Sequence, residues 1–230
     1  FRRIVVSRSL HQIPNQLQQL AQERETTIRL NVLAASTLVT QALISYKKDH
    51  DGLNFQLFQN SQCEDADITV FTRENFQIPA GNKDRYELFK ERIFLAVPAD
   101  SPYASEESVR LKDFAHQDFI SLSGSRSIRT ICDRYCMQAG FVPHIIYESD
   151  SPDTVKNLIA SGLGVGFWPH YTWSTDSMEQ IRLMPIAEPT CQRAIILQLH
   201  RHARVQEAVC SFYAFLNRYL RQLKAAEKTG

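Results

Sequence analysis

The chain has 230 residues, of which 43% are hydrophobic, 22% are charged and the formal net charge is +1. That is apolar enough to bury a sizeable core and too apolar for a disordered segment. A near-neutral balance supplies no basic field, so phosphate contacts to nucleic acid are not expected from this piece.

Residues 1–24 are polar apart from Ile4, Val5, Leu10, Ile13, Leu17 and Leu20. Residues 16–23 suit a helix, and Pro14 breaks any longer one, so a loosely ordered tail is the competing expectation. Residues 28–33 read as a strand, 34–37 as a turn and 38–46 as a helix with Leu38, Ala42 and Ile44 among its apolar positions. Strands follow at 53–58 and 68–71, joined by a segment, 59–67, too short for a helix. Residues 75–85 are polar, hold Pro79 and Gly81, and read as a loop. The continuous apolar run 93–97 suits a strand buried on both faces, and 119–122 is another strand.

Residues 126–139 form the next predicted helix, with Ile128, Ile131, Cys132 and Tyr135 on one face and Gly140 as its stop. The stretch 147–169 then reads as one supersecondary unit. Apolar and β-branched residues make 142–147 a strand. Ser151 is placed to cap a helix that has Pro152 first and Asp153 in its opening turn. Val155, Leu158 and Ile159 give an apolar face, and Gly162 the left-handed stop. Residues 163–167 alternate Gly with apolar residues, as a strand pressed closely on its neighbours does, and Pro169 ends it. Strands at 184–186 and 194–199 lead to a helix over 205–223, whose stripe runs through Val205, Val209, Phe212, Leu216 and Leu220. Alternating strands and helices predict an α/β fold with mainly parallel sheets.

Three hydroxyl-bearing turns precede predicted helices: Ser36-Thr37, Ser123-Gly124-Ser125, and the turn holding Ser149 and Ser151. Each offers donors at the positive end of a helix dipole, where small anions bind. Each is also the commonest place for an ordinary N-cap. Arg126 and Arg129 sit in the first turns of the 126–139 helix, against its dipole, either as solvated side chains or as partners of an acidic ligand. Phe167, Trp168 and Pro169 either wall a cleft or fill the core.

Gly162, Gly164 and Gly166 are not a dinucleotide fingerprint, because they follow a helix and enter a strand. No Gly-x-Ser-x-Gly elbow is present. Cys132 with Cys136 and His200 with His202 lack a second spaced pair, so neither metal nor cofactor is expected. The five cysteines, Cys63, Cys132, Cys136, Cys191 and Cys210, have no framework spacing and read as reduced thiols of a cytoplasmic protein. No run reaches membrane-span length and no signal-peptide pattern opens the chain.

Four segments carry a family resemblance: YESDSPDTVKNLIASGLGVGFWP (147–169), FKERIFLAVPADSPY (89–103), Ala66-Asp67-Ile68 before an apolar strand, and LKDFAHQDFISL (111–122). In order and spacing they resemble the effector-binding domain of LysR-type transcriptional regulators. The resemblance implies a type 2 periplasmic-binding-protein-like fold, α/β, with two Rossmann-like subdomains joined by two crossover strands. It implies a linker remnant or tail at 1–24, subdomain I at 25–93 and 171–230, and subdomain II at 94–170. The chain would pass to the second near Phe94 and return near His170.

It further implies that all three hydroxyl turns meet at one inter-subdomain cleft. A small metabolite, expected to be a carboxylate, would bind there to Ser36, Thr37, Ser123, Gly124, Ser125, Arg126, Ser149, Ser151, Phe167 and Pro169. The implied partners are that small-molecule effector, a homodimer or tetramer formed partly through helices 38–46 and 126–139, and DNA. DNA would be reached only through a winged helix-turn-helix domain preceding this piece, which begins with Phe1 rather than Met. Most family members carry a helix where 59–67 lies, so that segment departs from the pattern. A solute-binding protein of a transporter with the same two-lobed fold is the alternative. An enzyme is not expected, because no acid–base or nucleophile constellation assembles.

Overall fold

Alternation of buried and exposed side chains along β1 (Thr27–Val32) places Ile28 and Leu30 inward and Arg29 outward. The computed structural model describes residues 27–59, 63–123, 127–170, 172–173 and 179–226, so the readings on 1–24 and on Gly124, Ser125 and Arg126 lie outside the described residues. β1 pairs in parallel with β2 (Asn54–Phe58) and β3 (Ile68–Arg73). Between β1 and β2 runs α1 (Ser36–Lys47), which buries Leu38, Val39, Ala42 and Tyr46.

β4 (Arg85–Pro98) is 14 residues long and serves both halves of the molecule. Its residues 85–92 pair antiparallel with β11 (Gln192–Leu199), which also pairs antiparallel with β3. Its residues 93–98 pair antiparallel with β8 (Gly166–Pro169) and β9 (Ile181–Met184). The expectation of mainly parallel sheets is therefore corrected. Parallel pairing holds within each βα unit, and every strand that links the halves runs antiparallel to its neighbours.

Two hydrophobic cores result. The first joins Leu30, Val70, Phe89, Ile195 and Leu197 to α1 and to α4 (Glu207–Ala226), which contributes Val209, Phe212, Leu216 and Leu220. A fully buried side chain of this kind contributes about 1.5–3 kcal/mol. The second gathers around β6 (Asp118–Leu122) and its parallel partner β7 (His144–Ser149), with α2 (Ser127–Gln138) and α3 (Pro152–Ala160) packed on them. Ile181, Met184, Ile186 and Cys191 belong to this second core. The first core takes up the chain again only in β11. The short β5 (Val109–Arg110) and β10 (Ile186–Glu188) form a separate parallel pair.

The glycine-rich segment behaves as its sequence predicts. Gly162 has φ +78 and stops α3. Val165 bridges Phe119 of β6, and a Cβ on Gly164 would lie 2.6 Å from the Asp118 carbonyl oxygen. On Gly166 it would lie 2.8 Å from the Ile120 carbonyl oxygen. Only glycine lets these backbones approach so closely.

Several boundaries differ from expectation. The strand predicted at 142–147 runs from His144, because Gly140 (φ +89) and Pro143 hold the chain out of the ladder and leave Val142 78% exposed. The C-terminal helix starts at Glu207, not 205, because a 3₁₀ turn over Arg201–Val205 precedes it and leaves Val205 89% exposed. In the shortened 59–67 segment, the described residues 63–67 form a turn, pinned where Asn31 exchanges two hydrogen bonds with the Cys63 backbone (2.9 and 3.0 Å). On the sheet face turned away from α1 and α4, Arg29 Nε donates to Gln56 Oε1 at 3.3 Å.

Candidate ligand-binding cleft

After β1 the chain stays beside β3 for one more step, with Leu33 N–H donating to the Val70 carbonyl at 2.8 Å. It then turns sharply at Ala35, whose φ of 56 and ψ of 35 are left-handed. A non-glycine residue held there costs about 1–2 kcal/mol, and such strain gathers at functional sites. Ser36 and Thr37 are the first residues of α1 rather than its cap, and no side chain caps this helix. The opening N–H groups of α1 are thus without a side-chain acceptor at the helix's positive end.

The second start is α3. Ser151 caps it, accepting from Thr154 N–H at 3.4 Å, and Ser149 Oγ accepts from Ser151 N–H at 3.1 Å. The third is α2, which begins at Ser127. All three starts open on one cleft of about 350 Å³, between the two cores. That volume suits a small metabolite. Val32–Thr37 and Thr72 line it from the first core's side, Leu122, Ser127, Ile128 and 150–153 from the second's, and Thr172 and Trp173 from the segment after β8.

Of the expected site residues, Ser36, Thr37 and Ser151 line the cleft. Ser123 and Ser149 lie behind it, where Ser123 N–H donates to the Ser149 carbonyl at 2.9 Å and extends the β6–β7 pairing. Phe167 stacks on Phe119 with centroids 5.9 Å apart, and Pro169 is buried in β8. Neither lines the 350 Å³ cleft, though Phe167 lines a small adjoining space with Leu122, Ile128 and Trp173. Arg129 is also withdrawn from ligand duty: its Nε lies 2.7 Å from Asp133 and its Nη1 donates to Glu148.

Lys156, Trp173, Arg193 and Thr172 are among the lining residues that were not anticipated. Lys156 lies three and four residues after Asp153 and Pro152, on the flank of the stripe that buries Val155 and Ile159, a spacing that sequence does display. Its Nζ lies 2.8 Å from Asp153 and 5.7 Å from the Trp168 ring centre. Trp173, packed on Trp168 at 5.3 Å, supplies the aromatic wall, so both tryptophans of the chain sit at or directly behind the cleft. Arg193 and Thr172 form its floor. Behind Thr72 and Ser127 lies a second chamber of about 290 Å³, spanned by an ion pair from Arg134 of α2 to Glu74 beyond β3.

Chemically, the cleft's described residues offer helix N-termini, hydroxyls, an ammonium and a guanidinium. These suit a small anion with hydrogen-bonding groups. Asp150 and Asp153 also line it and limit how much negative charge a ligand can bring. Among the described residues, no group of three or more His, Cys, Asp or Glu is arranged to hold a metal. None of their helices is long and apolar enough to cross a membrane.

The three buried thiols are poor nucleophiles. Burial pushes Cys136 and Cys191 up to about 12, and Cys132 rises well above the usual thiol range for the same reason. All three are therefore expected to resist a thiol-titrating disulfide reagent at pH 8 in the native protein and to react fully in denaturant. Native-state modification at any of the three, located by peptide mass mapping, would contradict this.

Residues 21–221 match the family model described as LysR substrate binding domain. The HTH-type transcriptional regulator YybE of Bacillus subtilis (strain 168) is 27% identical over 188 residues, covering 78% of this chain and 63% of that protein. The chain thus spans less than two thirds of that relative. Among solved structures, the CcmR regulatory domain of Synechocystis PCC6803 in complex with 2-PG aligns with a TM-score of 0.72 at 15% identity, over 84% of this chain and 96% of that one. The effector binding domain of QuiR in complex with shikimate aligns at 0.67 and 18% identity, over 85% and 97%. At such identities these two structures bear on the fold alone, and their two-lobed architecture is the one described above.

Proposed function

The chain belongs to the LysR substrate binding domain family, and from that premise we propose that it senses a small carboxylate for a DNA-binding transcriptional regulator. The observation that carries this reading is the convergence of three helix N-termini, from both cores, on one 350 Å³ cleft that also holds Lys156 and Arg193. A ligand there touches both lobes and so binds one arrangement of them better than another. That differential affinity is what shifts a conformational equilibrium. The shikimate and 2-PG named for the two structural neighbours make an organic acid the natural class to test.

The lobes are read as 25–93 with the C-terminal part of the chain, and a second lobe from 94 onward. The second-core packing of Ile181 and Cys191 supports reading its end near residue 191 rather than at 170. A homodimer or tetramer, DNA contact through a preceding helix-turn-helix domain and a cytoplasmic setting follow from the family reading. Ile44 of α1 (56% exposed) and Met137 of α2 (66% exposed) favour those helices as subunit contacts. Relatives described as regulators favour a sensor over a transport protein or an enzyme.

The test is a thermal-shift screen of small organic acids, followed by tryptophan fluorescence titration of each hit. A ligand at a hundredfold excess over its Kd adds about 2.7 kcal/mol to stability. Ser36→Ala and Thr37→Ala are each expected to weaken a hit by about 3- to 10-fold without lowering the unliganded Tm. Unchanged affinity in both variants would remove the α1 start from the site.

A further inference from the structure

We propose that Arg193 is the specificity-determining residue of the cleft, reading the ligand's carboxylate and reporting it to the strands that join the lobes. This rests on the carboxylate reading above. Arg193 lines the cleft floor, yet its side chain is only 4% exposed. Its Nε donates to Glu91 Oε2 at 2.7 Å, and Nη2 donates to Thr172 Oγ1 at 2.6 Å. Glu91 Oε1 accepts from Thr172 N–H at 2.7 Å, and the Glu91 side chain is 0% exposed. A guanidinium carries five N–H donors, and these two bonds engage two of them.

The position of this cluster gives it meaning. Glu91 and Arg193 face each other across the β4–β11 ladder. Just beyond, Ile93 N–H donates to the Cys191 carbonyl at 2.9 Å, and His170 N–H donates to the Arg92 carbonyl at 3.1 Å. The chain crosses between the cores along β4 and into β11, and the segment after β8 bonds to β4 at the first of these crossings. One buried charged cluster therefore ties both crossings to that segment and opens one side onto the cleft.

A buried ion pair is weak evidence for stability, since apolar residues of similar volume often hold a fold as well or better. A guanidinium kept at a cleft floor, against that cost, is accounted for by an anion that uses it. A ligand carboxylate on Arg193 draws the guanidinium toward the cleft. It thereby changes how tightly Glu91 and Thr172 hold the crossings.

The experiment compares wild type with Arg193→Gln/Glu91→Gln, which replaces the charged pair by a neutral one. Arg193→Met/Glu91→Gln serves as a second variant should the first fold poorly. Probes are lactate, succinate, benzoate and shikimate, each paired with its amide, read by thermal shift and tryptophan fluorescence. An acid that binds wild type is expected to bind the neutral variants roughly 10- to 100-fold more weakly, while its amide binds all forms alike. Full retention of the acid overturns the role of Arg193 and leaves the cleft reading standing. Equal loss of acid and amide shows a merely structural pair and overturns the role too. Failure of every acid on wild type removes the carboxylate reading and this assignment with it.

Discussion

Arg193→Met alone is expected to lower the unfolding free energy by about 3–5 kcal/mol, the usual cost of removing one member of a buried ion pair. The charge left behind is Glu91, whose side chain is 0% exposed. Adding Glu91→Gln should recover most of the loss. The amide carries no charge, yet its oxygen still accepts from Thr172 N–H, which the carboxylate accepts at 2.7 Å. Urea denaturation followed by far-UV circular dichroism measures both variants. In thermal melts the single substitution should shift Tm by roughly 6–20 °C, taking 2–4 °C per kcal/mol for a chain of this size. A single variant within about 1 kcal/mol of wild type would mean that Glu91 finds water or another donor at once, and the pair would then not be a sealed unit.

The contrast between what sequence revealed and what it concealed has a physical pattern. Features set within a few residues were legible. Ser151 with Pro152 marked the start of α3, Gly162 its end, and the apolar stripe through Phe212 and Leu216 the C-terminal helix. All three helix starts that open on the cleft were read from hydroxyl-bearing turns, since a helix N-terminus is a local event. The N-terminal half of β4 was missed, because Lys90 and Glu91 break the apolar run that made 93–97 stand out. Those polar residues belong to a strand lying between a solvent face and a hinge.

Arg193 was concealed for a stronger reason. Its partner Glu91 lies 102 residues away, and no periodicity links the two. Sequence leaves open whether Phe167, Trp168 and Pro169 wall the cleft or fill the core and does not mark Trp173, because local sequence does not say which aromatic stays in a ladder and which leaves it. Antiparallel pairing of β11 was equally silent. It depends on the chain returning from the second core, not on any residue of the strand itself.

Gly164→Ala is the other large effect, expected at about 3 kcal/mol, the upper part of the usual range for overpacking. The added Cβ would sit 2.6 Å from the Asp118 carbonyl oxygen and 3.3 Å from its carbon. Neither atom is the tip of a side chain that can swing away. The same backbones are also fixed by hydrogen bonds, with Val165 N–H donating to the Asp118 carbonyl at 2.9 Å and Ile120 N–H to the Val165 carbonyl at 2.8 Å. Relief therefore requires breaking the β6 bridge itself. Gly162→Ala is the control: its φ of +78 is costly for alanine, by about 1–2 kcal/mol, but nothing lies within 4 Å of the new Cβ. Urea denaturation of both variants ranks the two causes. A larger loss at Gly162 would mean that conformational strain, not close approach, dictates glycine in this segment. A larger loss at Gly164 means that the spacing of glycines records how near β6 lies. That approach sets where β8 enters the second core, and with it the placement of Trp173 and Thr172 in the cleft.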